Sequence, residues 1–411
     1  MKFLLYSLNY SPELTGIGKY NGELAPSLSS RGVETNVLTA PPYYPDWNIS
    51  KGFKNRWSTV QCDSVTVFRC PLFVPSKLTT VKRLLHLSSF AITSALRLLS
   101  LIRLKPDVLF LVQPTLFCAP FALLYCKLTG AKSVMHIQDF EVDAMFGLGM
   151  GGSGRLSRVA NAAERWLLKR FDVVSSISYS MLDNAVAKGV SHDKLIFFPN
   201  WSDTGFVTPD VDGSELRTLW GYTPDDKVVL YSGNIGQKQG LDIVLDAAES
   251  FKHRPEVKFL IIGNGSYSET LQGLARERGL SNVSFKPLQA WEDVPNILAM
   301  ADVHLVVQKR GAADAVLPSK LTNILSAGGN AVVTAESNTE LGKIAEKYPG
   351  IYTCVEPENL SAFIAGLESC FDMTTDQPNI IARNYAVENL NKDKVIDRFI
   401  QDLKAHGCAN L

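Results

Sequence analysis

Residues 13–24, ELTGIGKYNGEL, follow directly on an apolar run, KFLLYSLN (residues 2–9), and their reading decides the fold. A buried strand that runs into glycines and then into an amphipathic stretch, KYNGELAPSLSSRG (residues 19–32), opens a parallel β/α unit. Gly16 and Gly18 allow close backbone approach and leave free N–H groups facing an anion at the helix start. The stretch is not a dinucleotide fingerprint. That motif needs its third glycine where Asn21 stands, and an acid at the end of the second strand, which reads LTAPP (residues 38–42).

Outward from this stretch the same rhythm continues. ETNVLTA (34–40), SVTVFRC (64–70), PDVLFLVQ (106–113), AKSVMHIQ (131–138) and FDVVSSIS (171–178) read as buried strands with helices between. From residue 227 the pattern restarts with KVVLYSGN (227–234), VKFLIIGNG (257–265), VSFKPL (283–288), DVHLVVQ (302–308) and NAVVTA (330–335). Two such series predict an α/β protein with two Rossmann-like, doubly wound parallel-sheet domains facing a central cleft. The expected division is an N-terminal domain over 1–200, a connection over 201–222 rich in Pro, Gly, Asp and Ser, and a second domain over 223–383. A tail helix over 384–411 has the option of crossing back to the first domain.

Composition bounds the function. At 411 residues, with 46% hydrophobic and 20% charged residues, the chain can bury two cores. Lys plus Arg equals Asp plus Glu at 41 each, so bulk charge argues against nucleic acid as a partner. The seven cysteines are scattered and form no CxxC, which argues against zinc or redox chemistry and fits a reducing cytoplasm. The histidines form no ligand-like cluster, so no metal is expected. A secretory leader and a run of about 20 uncharged apolar residues are both missing, and a soluble or peripheral protein is expected.

Four further stretches carry chemistry. SGNIGQKQG (232–240) repeats the glycine loop after the second domain's first strand, with Gly233, Asn234 and Lys238. QKRGAADAVLPSKLTNILSAGGNAVV (308–333) sets Lys309 and Arg310 at a strand end, small residues from Gly311, and Pro318-Ser319-Lys320 before a helix. Three cations beside a helix N-terminus suit a diphosphate leaving group. HIQDFEVDA (136–144) puts His136 and Asp139 just past a strand, as acid/base or hydroxyl-binding groups or as structural hydrogen bonders. VKRLLHLSSFAITSALRLLSLIRLKP (81–106) has five cations and no acid, and is either a membrane-contacting surface or a core-facing helix with a solvated edge.

Taken together, NYSPELTGIGKY (9–20), TAPPYYP (39–45), HIQDFEVDAM (136–145), FFPNWSD (197–203), YSGNIGQKQGL (231–241) and LVVQKRGAADAVLPSKLTNILSAGGN (305–330) resemble the retaining glycosyltransferases of family 4, which have the GT-B fold. The resemblance runs from residue 1 to about 405. It implies metal-independent transfer from a nucleoside-diphosphate sugar, with the donor in the second domain and the acceptor in the first. His136, Lys238 and Lys320, carried over by matching residues, and Asp139, read from its place after the strand, would be the catalytic set. The donor would meet Gly16, Gly18, Gly233, Asn234, Lys309, Arg310, Gly311, Asp314, Ser319 and Glu340, and its base would lie against Phe285, Pro287 and Leu288. Asn323 stands where the family has a ribose-binding glutamate, and Asp314 lies one residue from the position of the other family glutamate. The resemblance points further to exopolysaccharide assembly, such as that of colanic acid. There the donor would be GDP-fucose and the acceptor a saccharide on polyprenyl diphosphate, at the cytoplasmic face of the inner membrane, reached through residues 81–106. A sugar-nucleotide epimerase of the same architecture, or a non-catalytic subunit of a polysaccharide-assembly complex, are the alternatives.

Overall fold

The computed structural model describes residues 1–13, 16–76, 79–140, 142, 154–310, 317–373 and 377–408, with backbone only at 154–156 and 238. The chain divides into two compact units, Met1–Pro199 with Ile396–Leu411, and Asn200–Val395.

The first unit is built on an eight-stranded sheet of β1 (Lys2–Tyr6), β2 (Glu34–Thr39), β3 (Ser58–Cys62), β4 (Val65–Arg69), β5 (Val108–Gln113), β6 (Lys132–Ile137), β7 (Val173–Ser176) and β8 (Leu195–Phe197). Their order is β3-β4-β2-β1-β5-β6-β7-β8, and only β3 runs antiparallel to its neighbour. The central strands are apolar on both faces because helices cover both faces of a parallel sheet. Strand order reverses at β1, which pairs with β2 on one side and β5 on the other, and ligands bind outside the carboxyl ends at such a point.

Helix Gly16–Ser30 starts there. Asn21, the residue that breaks the dinucleotide fingerprint, is buried in this helix and donates from Nδ2 to Ser7 Oγ at 2.8 Å and to the Asn9 carbonyl at 3.0 Å. It clasps the helix to the chain leaving β1. A glycine could not.

The second unit carries a six-stranded parallel sheet of β9 (Lys227–Ser232), β10 (Val257–Ile262), β11 (Val283–Lys286), β12 (Val303–Val306), β13 (Ala331–Thr334) and β14 (Thr353–Val355). The order β11-β10-β9-β12-β13-β14 reverses between β9 and β12.

Residues 201–222, read from composition as a connection, belong to the second unit. Val207 is fully buried, and its carbonyl accepts from Ser326 Oγ at 2.7 Å and from the Arg383 guanidinium at 3.1 Å. The polar residues there make packing contacts to helices; they do not mark a free linker. The tail helix Lys392–Ala405 passes from the second unit to the first after Val395. In the first unit its Phe399 stacks on Phe198 at 3.9 Å between centroids, and Arg31 pairs with Asp397 at 2.6 Å.

Candidate functional site

In the second unit the loops after β9 and β12 meet where strand order reverses. The loop after β9 is held from behind: the Gly233 amide donates to the Ile262 carbonyl, the Ile235 amide to the Asn264 carbonyl, and the Tyr267 amide to the Ile235 carbonyl, at 2.9, 2.9 and 3.0 Å. Gly263 is required by this contact, because a Cβ there would lie 1.8 Å from the Gly233 carbonyl oxygen. Sequence reasoning passed over Gly263, although the glycines of IIGNG after a strand were a usable signal.

Lys320 is the second residue of helix Ser319–Ser326. Its half-buried ammonium lies 3.7 Å from the centroid of the Tyr231 ring on β9. A Cβ on Gly233 would fall 2.9 Å from Lys320 Nζ, so the glycine leaves this cation its place. Among the described residues the ammonium has no carboxylate partner, and burial pushes its pKa down to about 7. A cation without a carboxylate partner, beside helix N–H groups and a glycine loop, has the chemistry to hold an anion.

The other expected groups are distributed unevenly. Lys309 is half-buried and packs along Gly240. Arg310 instead pairs with Glu336 at 3.1 Å and Glu356 at 2.7 Å, so its charge is already engaged. Ser319 opens its helix and is exposed, as is Asn234, whose carbonyl accepts from Tyr231 Oη at 2.7 Å. Asn323 Oδ1 accepts from Ser202 Oγ at 2.9 Å. Glu340 is buried at the start of helix Glu340–Lys347, past the carboxyl end of β13. The expected base-contacting run divides: Phe285 packs onto the hydrophobic core from β11, while Pro287 and Leu288 lie exposed beyond it. Lys238 sits in the 3-10 turn Gln237–Gln239, and its side chain lies outside the described residues, as do Gly311 and Asp314.

In the first unit, His136 lies inside β6 and is 2% exposed. Its Nδ1 is 2.9 Å from Ser175 Oγ, its Nε2 is 3.0 Å from Gln138 Nε2, and its ring stacks on Phe110 at 5.1 Å. Burial pushes its pKa down to about 3. Of the two sequence readings of His136, its burial and its two ring contacts support the structural hydrogen bonder. This is a neutral interior histidine, held by both ring nitrogens. Both faces of β6 are covered, so Ser133 to Ile137 are all buried, while half-buried Gln138 and exposed Asp139 follow at the carboxyl end.

At the reversal beside β1 lies a cavity of about 310 Å³, bounded by Asn9, the first turn from Gly16 to Gly18, Tyr43, Trp47, Arg83 and His86. Gly16 has φ +56°, which favours glycine. Gly18 has a second reason to be glycine, since a Cβ would lie 2.6 Å from Glu13 Cβ. The buried Glu13 carboxyl accepts from the Tyr43 and Tyr44 amides, each at 3.0 Å, and from Asn9 Nδ2 at 2.8 Å, while burial raises its pKa.

The stretch 81–106 forms helix Thr80–Ser100 and a following 3-10 turn, Ile102–Leu104. Beside it runs helix Ala119–Thr129, and the two enclose an apolar groove of about 300 Å³. Ile92, Leu96, Leu99, Leu124 and Leu128 are exposed along it, at 51 to 58%. Arg103, Lys105 and Lys127 are exposed near its end. Arg97, one of the five cations of this stretch, is engaged: it bonds Thr59 Oγ1 and lies over the Phe68 ring. Among the described residues no helix is long and apolar enough to cross a membrane, and no group of three His, Cys, Asp or Glu could hold a metal.

Comparison with known proteins follows this division. Residues 15–201 match the model of a glycosyl transferase 4-like domain, and residues 215–387 that of the glycosyl transferases group 1. The chain is 49% identical over 409 residues, 98% of its length and 100% of the relative's, to WcaI of Escherichia coli (strain K12), named as a colanic acid biosynthesis glycosyl transferase. Over 159 residues, 38% of this chain and 41% of the relative, it is 33% identical to a protein of Mycolicibacterium smegmatis named as a GDP-mannose-dependent alpha-(1-6)-phosphatidylinositol monomannoside mannosyltransferase. Among solved structures, sucrose-phosphate synthase from Thermosynechococcus elongatus superposes with a TM-score of 0.76 at 13% identity, covering 100% of both chains. That likeness concerns the fold.

Proposed function

The chain belongs to the family 4, group 1 glycosyltransferases of GT-B fold, and from that premise we propose that it moves fucose from GDP-fucose to a lipid-linked saccharide during exopolysaccharide assembly. The observation that carries the donor part is the unpaired Lys320 ammonium, beside Gly233 and a helix N-terminus at the reversal of the second sheet. Charge builds on the diphosphate as the glycosidic bond to the sugar breaks. A fixed cation and aligned N–H groups stabilise that charge more in the transition state than before it. The chain's own groups would serve without a metal, Lys238 and Lys320 holding the diphosphate.

Polysaccharide class and base follow from relatives. The full-length likeness to WcaI supports colanic acid or a similar polymer, and the GDP-mannose-dependent relative supports a guanine nucleotide. Retention with no carboxylate assigned as nucleophile points to same-face attack, the departing phosphate taking the acceptor's hydroxyl proton. Asn323 would meet a ribose hydroxyl and Glu340 the sugar.

A peripheral place at the cytoplasmic face of the inner membrane is supported by the apolar groove and by Arg103, Lys105 and Lys127. Both helices that form it are free of Asp and Glu. Binding to vesicles with anionic lipid is expected to be salt-sensitive and to fall when Arg103, Lys105 and Lys127 are neutralised together. Arg97→Gln should lower stability and leave binding intact. Equal vesicle binding by the triple variant would remove this face from the reading.

The deciding experiment is thermal-shift screening against GDP-, UDP- and dTDP-sugars, followed by transfer to a polyprenyl-diphosphate-linked saccharide in EDTA. GDP-fucose should stabilise the protein and be consumed only when acceptor is present. Consumption without acceptor would favour an epimerase, and stabilisation without transfer a binding subunit.

A further inference from the structure

We propose that a cavity at the amino ends of the second sheet's strands binds a neutral sugar, at a site separate from the donor site at their carboxyl ends. The inference goes beyond the donor reading and does not depend on it.

The cavity holds about 530 Å³, within the range of small-molecule pockets. Among its lining residues, Asp302, His304 and Asn330 stand at or just before the starts of β12 and β13. Lys320 and Gly233 lie at the opposite edge of the same parallel sheet, past the carboxyl end of β9.

His304 points to a ligand. It is 2% exposed, and its side chain makes no hydrogen bond among the described residues, Nδ1 being buried without a partner. Burial pushes its pKa down to about 4, so the ring is neutral and keeps one N–H donor and one acceptor lone pair unmet. Buried polar groups are ordinarily satisfied. His136 in the first unit is, through both ring nitrogens. Gly329 leaves the His304 ring its place, since a Cβ there would fall 2.6 Å from Cδ2 and from Nε2. A ligand hydroxyl both donates and accepts, and can answer either nitrogen.

The surroundings disfavour an anion. Helix Ser319–Ser326 ends at the cavity through Ala327 to Gly329, and a helix C-terminus carries partial negative charge. Exposed Asp212 adds a carboxylate. Arg217 is the one cation among the described lining residues, and it is engaged. Its guanidinium donates to the carbonyls of Thr223, Met300 and Asp226 and to the Asp302 carboxylate. These bonds also fix the wall, where Gly213 packs so closely that a Cβ would lie 2.3 Å from the Met300 amide nitrogen.

What remains for a ligand is polar and uncharged. Thr208, Ser214, Thr218 and Asn330 offer hydroxyls and an amide, and Leu298 and Met300 offer apolar contact. A sugar ring matches that mixture, with hydroxyls around its rim, apolar C–H faces and no charge.

The test labels the imidazole Cε1 atoms of the full chain, whose six histidines give a readable NMR spectrum. The His304 signal is assigned by its loss in His304→Leu. Methyl glucoside and methyl galactoside are titrated in, and at least one should move the His304 signal while leaving that of His136 in place. The uronate of the sugar that binds, and cyclohexanol, should each bind at least about tenfold more weakly. Replacing His304 by Leu removes the unmet polar atoms, so Tm should hold or rise. The sugar, observed directly, should lose at least about tenfold in affinity for that variant. Lys320→Met, at the donor end, should leave the affinity for the sugar unchanged. An unmoved His304 signal with both sugars, equal binding of the uronate or of cyclohexanol, or full affinity in His304→Leu would each overturn the proposal. Weakening by Lys320→Met would place the sugar in the donor site and overturn it as well.

Discussion

The Lys320 ammonium lies over the face of the Tyr231 ring, 3.7 Å from its centroid, where burial lowers its pKa from 10.5 to about 7. An unfolded chain keeps the proton through that interval and the folded protein does not. Stability should therefore rise with pH from about 7 to about 10.5. Lys320→Met should raise Tm at neutral pH and flatten this rise, while weakening nucleoside diphosphate binding by about tenfold or more. Binding by the unmodified protein should weaken as pH climbs above about 7. A methionine variant with unchanged affinity would show that the cation does not face the donor.

Gly233→Ala tests the same place from the backbone. The residue has φ +150°, and its new methyl would meet Lys320 Nζ at 2.9 Å. The expected result is a loss of about 1 kcal/mol in stability, together with much of the affinity lost in Lys320→Met. Because both changes act through one ammonium, the double variant should bind no worse than Lys320→Met alone. Isothermal titration decides it, and simple additivity would separate the two residues.

His136 should matter for stability and not for proton transfer. Its pKa falls from 6.5 to about 3 on burial, so the unfolded chain takes up a proton that the folded protein refuses, and stability drops as pH falls through that window. His136→Asn, which loses the ring stacked on Phe110, should cost about 2–3 kcal/mol and make the acid limb shallower. Above about pH 6.5 the shape of the pH–rate profile should not change. Loss of turnover with unaltered Tm would restore a direct role.

Gly18 and Glu13 form a steric pair. Gly18→Ala places a methyl 2.6 Å from Glu13 Cβ and 2.7 Å from its Oε2, and should cost about 1–3 kcal/mol by urea unfolding. With Glu13→Ala already present, the same substitution should cost less. Equal cost in both backgrounds would mean that the glycine answers to backbone geometry alone.

Much of the architecture was legible in the sequence because strands of a parallel sheet are apolar throughout, and glycine loops punctuate their carboxyl ends. Asn21 and the acid-free LTAPP were enough to exclude a dinucleotide fingerprint. Lys320 could be singled out because Pro318 and the helix after it set a helix start. Sequence alone did not show that Arg310 is engaged and Lys320 is not, since both are cations in the same block. Their difference lies in Glu336 and Glu356, 26 and 46 residues away, which reach Arg310 alone. His136 could be read either way because sequence does not fix where a strand ends: β6 runs one residue past it, to Ile137, and both faces of that strand are covered.

By itself, then, the chain determined the alternation of strands and helices, the glycine loops and the family, because these depend on local periodicity and on short motifs. Tertiary structure alone decided which of these groups are free to act. Lys320 rests on an aromatic ring with no carboxylate partner among the described residues, Arg310 has its charge engaged by two acids, and His136 is buried inside β6, where desolvation disfavours its charged form. Arg83, Trp47 and His86 are separated by up to 39 positions and show no common motif, yet packing brings them around one cavity. Charge and solvation depend on neighbours in space, and those neighbours come from the whole fold.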